Sequence, residues 1–257
     1  MSVIEPKLCP QARPSTDADM VKIRAWLEQQ KSDEVHGTFL CNWGLTQRLH
    51  EEGKLLVYIL DEDSGEPVAY QWGGLLQSGI LEVRDDLRGR GIGKALVEHR
   101  LFEAAEAGED ILHIQCKPST SIPFWQRMGF ELRPDSDGTN YAVRYMQREL
   151  ELPSEGKPVQ VLVEWFPEAR KWESTTRAIR TLSIAGVLVE GDEVRLAERA
   201  LCSDEEVERD LVLRVCVNGQ EWYCDKAKYA AADELGVERC RNGFFLDVLY
   251  RPEQRSN

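Results

Sequence analysis

Val83-Arg84-Asp85-Asp86-Leu87-Arg88-Gly89-Arg90-Gly91-Ile92-Gly93-Lys94-Ala95-Leu96 is the stretch on which the fold of this chain turns. The apolar residues at 80–83 read as a strand, and Leu96, Val97, Leu101, Ala104 and Ala105 recur at threes and fours, the helical period, until Gly108 ends the run. Gly89, Gly91 and Gly93 remove side chains where strand passes into helix, so consecutive backbone N–H groups stand open at a helix amino terminus. Such N–H groups, with the helix dipole, bind phosphate. Arg88, Arg90 and Lys94 add positive charge at the same spot, which a purely structural turn does not need.

Outward from the turn, Ile111 to Cys116 reads as a strand, so strand, glycine-rich turn, helix and strand make a βαβ unit that demands a parallel pairing. Upstream the sheet is antiparallel. Leu55 to Leu60 is a buried strand, Asp61 to Glu66 a turn, Pro67 to Trp72 the returning strand, and Ile80 to Val83 the next one. Two helices come first: Asp17 to Gln30, with Met20, Ile23 and Leu27 on one face, and Leu45 to Glu52, stopped by Gly53. Met1 to Pro14 is an arm with a short strand around Gln11 to Arg13. Downstream, Ile122 to Met128 is a short helix ended by Gly129, Phe130 to Leu132 a strand, and Tyr141 to Leu150 the last strand of this part.

Pro153 to Pro158 reads as a linker, which divides the chain into domains 1–152 and 153–257. In the second, Val159, Val161, Val163 and Trp165 alternate on one face of a strand, and Gly191-Asp192 marks a hairpin. Asn218-Gly219, between Leu211 to Val217 and Glu221 to Cys224, is a two-residue hairpin turn. Lys226 to Leu235 is a helix capped by Gly236, and a strand through Phe244 to Tyr250 follows. The second domain is therefore a smaller, mostly β member of the α+β class, with no internal repeat linking it to the first.

The glycine-rich stretch resembles the signature of the GNAT acetyltransferase superfamily: Gln or Arg, two residues, Gly, one residue, then Gly or Ala. Arg88, Gly91 and Gly93 fill those positions. The family's later pattern of an aromatic, three residues, Gly and Phe is matched by Trp125-Gln126-Arg127-Met128-Gly129-Phe130. The resemblance covers about Gln11 to Leu150 and implies an α+β fold, a mixed, mainly antiparallel sheet flanked by helices. It implies that Leu81 to Val83 present backbone groups to the pantetheine arm of acetyl-CoA, that N–H groups of Arg88, Gly89, Arg90, Gly91, Ile92, Gly93 and Lys94 hold its pyrophosphate, and that Trp125 lies at the cofactor. It further implies direct attack of an acceptor amine on the thioester, with a base taking the amine proton and a tyrosine protonating the CoA thiolate.

The chain departs from the family at two places. Trp125 stands where the family has its tyrosine, and an indole N–H donates hydrogen bonds but is no proton source near neutral pH, so Tyr141 is the substitute acid. Pro118 stands where an asparagine is usual; Ser119 and Ser121 either supply those hydrogen bonds or cap the following helix. For the base, Glu82 lies beside the cofactor strand, although alternation also allows it to be a surface carboxylate; Asp85 and Asp86 are further candidates. His113, between Leu112 and Ile114, reads as a core histidine before a catalytic one. Trp43, Trp72 and Trp125 either line an acceptor pocket, since aromatic walls beside carboxylates attract cations, or pack the core.

A net charge of −13 over 257 residues opposes binding to nucleic acid and to anionic membranes and favours a cationic acceptor. The longest apolar runs are far shorter than the roughly 20 residues of a bilayer crossing, which points to a cytoplasmic protein. Seven cysteines without a Cys-x-x-Cys pair point to reduced thiols, and Cys202, Cys216, Cys224 and Cys240 lack the close spacing of a zinc site. The expected function is an acetyl-CoA-dependent N-acetyltransferase acting on a primary amine, of a small cationic molecule or of a protein. The competing readings are a non-catalytic acyl-CoA-binding protein and a carboxy-terminal domain that serves a homodimer or a protein partner, or completes the acceptor pocket.

Overall fold

Thr16 opens the first helix of the chain by a reciprocal pair of bonds: its Oγ1 accepts from Asp19 N–H at 3.3 Å, and Asp19 Oδ2 accepts from Thr16 N–H at 2.8 Å. Strand β1 (Ala12–Pro14) precedes this helix, α1 (Asp17–Ser32), and carries Arg13, whose guanidinium grips Asp19 at 2.6 and 3.1 Å. Burial works against the Asp19 charge, but the bonds from Arg13 and Thr16 outweigh it and hold the carboxyl below its ordinary range. Asp19→Ala is therefore expected to lower stability by about 2 kcal/mol in urea unfolding. An unchanged midpoint would show that the cap contributes nothing net.

The structure, a computed structural model, describes residues 7, 9–33, 38–60, 65–134, 140–190, 192–204 and 211–251. Positions 61–64 of the expected turn, Gly191 of the expected hairpin, and 1–6 and 8 of the arm lie outside the described residues. The chain divides into two compact units, Met1–Arg144 and Tyr145–Asn257.

In the first unit, α1 and α2 (Trp43–Glu51) are followed by β2 (Leu56–Ile59), β3 (Pro67–Trp72) and β4 (Ile80–Val83). The strands form an antiparallel sheet in the order β1-β2-β3-β4, in which Tyr70 stands opposite Glu82. Alternation gives this sheet two apolar faces. On one, Val57, Ile59, Tyr70, Trp72 and Ile80 pack against Met20, Ile23 and Leu27 of α1. On the other, Leu56, Val68 and Ala69 meet Leu87 and the start of α3 (Ile92–Glu106) through Ile92 and Leu96. A second, three-stranded sheet follows, made of β5 (Ile111–Gln115), β6 (Glu131–Pro134) and β7 (Asn140–Tyr145) in the order β5-β7-β6, with α4 (Ile122–Arg127) between β5 and β6.

The expected parallel pairing of β4 with β5 is not made: among the described residues the two strands belong to different sheets. The loop joining β3 to β4 reaches β5 instead. Leu75 of that loop accepts the N–H of His113 on β5 at 2.8 Å, so a loop carbonyl takes a donor that a neighbouring strand would have used. The loop can fold so tightly because Gly79 has no side chain; a Cβ there would sit 2.3 Å from Trp72 O.

The expected strand Tyr141 to Leu150 is also shorter than its alternation suggested. It ends at Tyr145, and the chain then bonds to a strand at Glu193–Ser203: Leu150 N–H to Ala197 O and Arg199 N–H to Arg148 O, at 2.9 and 3.0 Å.

The second unit is an antiparallel sheet of β8 (Lys157–Phe166), β9 (Arg180–Val189), β10 (Glu193–Ser203), β11 (Val212–Val217), β12 (Gln220–Lys226), then, after α5 (Ala230–Leu235), β13 (Glu238–Cys240) and β14 (Gly243–Tyr250). Its strand order is β12-β11-β8-β9-β10-β14-β13. Val159, Val161, Val163 and Trp165 point into one core with Leu213, Val215, Leu235 and Leu246. Asn218 and Gly219 both take positive φ, 49° and 81°, which a two-residue hairpin of primed type requires.

Two local expectations fail here. Lys157 and Pro158 are strand, not linker, and Lys226 ends β12 opposite Val212, so the helix starts only at Ala230. In both cases a partner strand captured residues whose local pattern favoured something else. Cys202 and Cys216 are buried, Cys240 is half-buried and Cys224 exposed. Among the described residues no helix is long and apolar enough to cross a membrane.

Candidate active site

β4 hands over to α3 through a 3-10 turn at Asp85–Leu87, the extended residue Arg88, and Gly89-Arg90-Gly91. Gly89 and Gly91 take φ of 79° and 85°, a region in which L side chains are strained, so glycine is required at both. Ala95 is the residue whose N–H bonds back to Gly91 O, at 3.0 Å. Helix geometry leaves the N–H groups of Ile92, Gly93 and Lys94 without an intrahelical partner, and no acidic side chain occupies this first turn. Gly93 lies close to Leu81 of β4 and Phe124, and a Cβ there would stand 3.5 Å from both, in ordinary van der Waals contact. The result is an open anion cradle on top of β4.

An acetyltransferase (GNAT) domain model matches residues 53–132. The match takes in the whole glycine-rich loop, β4, α3, β5 and α4, and leaves the carboxy-terminal unit without a recognised family. Among solved structures, the chain is similar to a GCN5-related N-acetyltransferase from Rhodopseudomonas palustris (18% identity, 57% of this chain and 99% of that one, TM-score 0.38). It is similar also to Ard1 from Thermoplasma volcanium (18%, 55% and 97%, TM-score 0.40) and to the PaiA N-acetyltransferase of Thermoplasma acidophilum in complex with coenzyme A (11%, 53% and 98%, TM-score 0.37). No curated protein matches.

Where β4 and β5 part there is a shallow cleft open to solvent, lined among others by Trp72, Ile80, Leu81, Ile114, Gln115 and Trp125. Two polar atoms of β3, Gln71 Oε1 and Trp72 Nε1, are buried beside it without a hydrogen-bond partner among the described residues. One is an acceptor and the other a donor. Leu81 and Trp125, both expected at the cofactor, thus meet at one cleft, while Val83 lies at the far end of β4, where the cradle begins. Trp125 is buried and touches Phe124 and Phe130 edge-on, with ring centroids 5.0 and 5.3 Å apart.

Glu82 does not point to solvent. It is 3% exposed, on the same face of the sheet as Ile80 and Tyr70. Arg88 Nη2 donates to its Oε1 at 2.9 Å. Burial pushes the Glu82 carboxyl up to about 7; Arg88 pulls against that shift and the nearby Asp85 charge adds to it. A surface carboxylate would titrate near 4, whereas this one holds both protonation states near neutrality, as a general base must. Opposite it, Tyr70 is fully buried, with a hydroxyl that has no partner among the described residues. Burial first, and then the Glu82 charge, raise its pKa far above that of a free phenol.

The remaining candidates fall in different places. Tyr141 lies on β7, in the three-stranded sheet, stacked on the buried His113 with ring centroids 5.0 Å apart. Trp43 is on the α1 side of the first core, with Arg24 6.0 Å from its ring, and does not line the cleft. Ser121 has helical φ and ψ and makes no capping bond, so the capping expectation fails: a 3-10 turn at Ser119–Ser121 already carries the chain into α4. Asp85 and Asp86 are exposed and paired with arginines, Asp85 with Arg88 and Asp86 with Arg84. The residues that inspection of the motif passed over are Tyr70 and Gln71. Strand pairing was the signal for Tyr70, because an aromatic directly opposite a carboxylate on a central strand shares its face.

Proposed function

We propose that the amino-terminal unit is an acetyl-CoA-dependent N-acetyltransferase that transfers the acetyl group to a primary amine by direct attack. The observation that carries this reading is Glu82: a buried carboxyl poised near neutrality, on the strand that leads into the anion cradle. In this reading the backbone N–H groups from Gly89 to Lys94 hold the pyrophosphate, and the pantetheine arm runs along Leu81 to Val83 into the cleft beside Trp125.

The amine nitrogen attacks the thioester carbon, the C–S bond breaks, and CoA leaves as thiolate. Glu82 takes the amine proton. Tyr141 stands as the acid for the thiolate, with Trp125 contributing only a hydrogen-bond donor. The overall charge of −13 favours a cationic acceptor such as a small polyamine-like molecule or a lysine-bearing protein segment. A second reading, a non-catalytic acyl-CoA-binding protein, draws on Trp125 in the position of the tyrosine, and turnover separates the two.

Titration calorimetry of acetyl-CoA against the intact chain and Gly91→Trp tests the cofactor site. Space around the Gly91 Cβ is open, so the indole enters no core, while the φ of 85° strains any L side chain; the variant therefore disturbs the cradle both by bulk and through its backbone. The wild type is expected to bind and the variant to lose about 100-fold in affinity, roughly the value of one to two charge-assisted hydrogen bonds. A wild type that does not bind acetyl-CoA would sink the reading.

A further inference from the structure

We propose that Arg88 is a positioning residue for Glu82, and that it leaves the anion at the start of α3 to the backbone N–H groups, Arg90 and Lys94. The inference rests on the reading of Glu82 as the base. Each nitrogen of the Arg88 guanidinium already has an acceptor in the protein. Nη2 donates to Glu82 at 2.9 Å and Nε to Val83 O at 3.2 Å, and Nη1 lies 3.2 Å from Asp85 Oδ1. These acceptors belong to β4 and the 3-10 turn, so the planar fork is oriented by the strand that carries Glu82.

Among the described residues, the surroundings of Glu82 leave it no other counter-charge. The groups acting on it are Arg88 and Asp85 from the turn, with Tyr70 facing it from β3. The buried residues of α1 are Met20, Ile23, Leu27, Gln30 and an Asp19 already paired with Arg13, and that of α2 is Thr46. Arg88 is thus the one cation acting on this carboxylate among the described residues, and it is itself 47% exposed, so it keeps its own solvation while fixing a group that is 3% exposed. A buried carboxylate stripped of its partner protonates instead of staying charged. Arg88 therefore decides both where the Glu82 oxygens point and over what pH range they can accept a proton.

The test needs no acceptor. Protein labelled with ¹³C at the glutamate carboxyl is titrated by NMR, the Glu82 signal being the one lost in Glu82→Gln. In the wild type it is expected to titrate near 7. Arg88→Gln should move the midpoint up by about one pH unit or more, Arg88→Lys should bring most of it back, and both should bind acetyl-CoA within about two-fold of wild type by calorimetry. If Glu82 titrates unmoved in Arg88→Gln while the acetyl-CoA Kd rises about ten-fold, Arg88 serves the phosphates and the proposal is overturned. Wild-type protein that binds no acetyl-CoA would overturn the acetyltransferase reading alone, and the titration would still decide the Arg88–Glu82 pairing.

Discussion

Glu82→Gln is expected to lower kcat/KM for acetyl transfer by about 100- to 1,000-fold at pH 8 while leaving acetyl-CoA binding intact. The amide keeps the shape and one acceptor for Arg88 but cannot take a proton. The loss should fall on kcat, because the group acts on the amine during the chemical step. With the wild type, kcat/KM should rise with pH to a plateau above about 7, the range to which burial has moved this carboxyl. The variant should lose that limb.

Stability should move the other way. The folded pKa of Glu82 is raised above its ordinary value of 4.5, so the native state holds a proton that the unfolded chain releases, and stability falls as pH rises from about 4.5 to about 7. Removing a charge that costs about 3 kcal/mol by this linkage should make Glu82→Gln more stable than wild type at pH 8, to the extent that Arg88 is resolvated. Equal stability near pH 4 and a gain at pH 8 is the signature in urea unfolding. A variant with full activity would remove Glu82 from the chemistry.

Trp165→Ala should destabilise the carboxy-terminal unit by about 4 kcal/mol, while Trp165→Phe should cost far less. Trp165 is fully buried near the end of β8, stacked on Phe244 with ring centroids 6.2 Å apart, in one core with aliphatic side chains of β10, β11 and β14. Its indole N–H has no hydrogen-bond partner among the described residues, so its contribution is packing and area, not a bond. Phenylalanine preserves the stacking and avoids the unpaired N–H, whereas alanine leaves a cavity the size of an indole. Guanidinium unfolding followed by near-UV circular dichroism measures both. Equal losses for Phe and Ala would mean that the indole N–H finds a partner in solution.

The sequence by itself determined the local grammar of this protein. Gly89 and Gly91 were legible because glycine adopts their positive φ without strain, and the strand before and the helix after them follow from alternation and threes-and-fours periodicity. Asn218-Gly219 was legible for the same reason, since the primed turn needs two residues with positive φ. Glu82 was visible as a candidate, but period two says only that it faces opposite to Leu81 and Val83. Whether that face meets water or α1 is set by a helix some 60 residues earlier in the chain. Tertiary structure decided the burial that moves the Glu82 carboxyl, the turning of Arg88 toward it, the parting of β4 from β5 that opens the cleft, and the capture of 145–150 by β10. Each is a choice of partner between segments distant in sequence, and partner choice depends on which surfaces and unpaired N–H and C=O groups remain once neighbouring elements have packed.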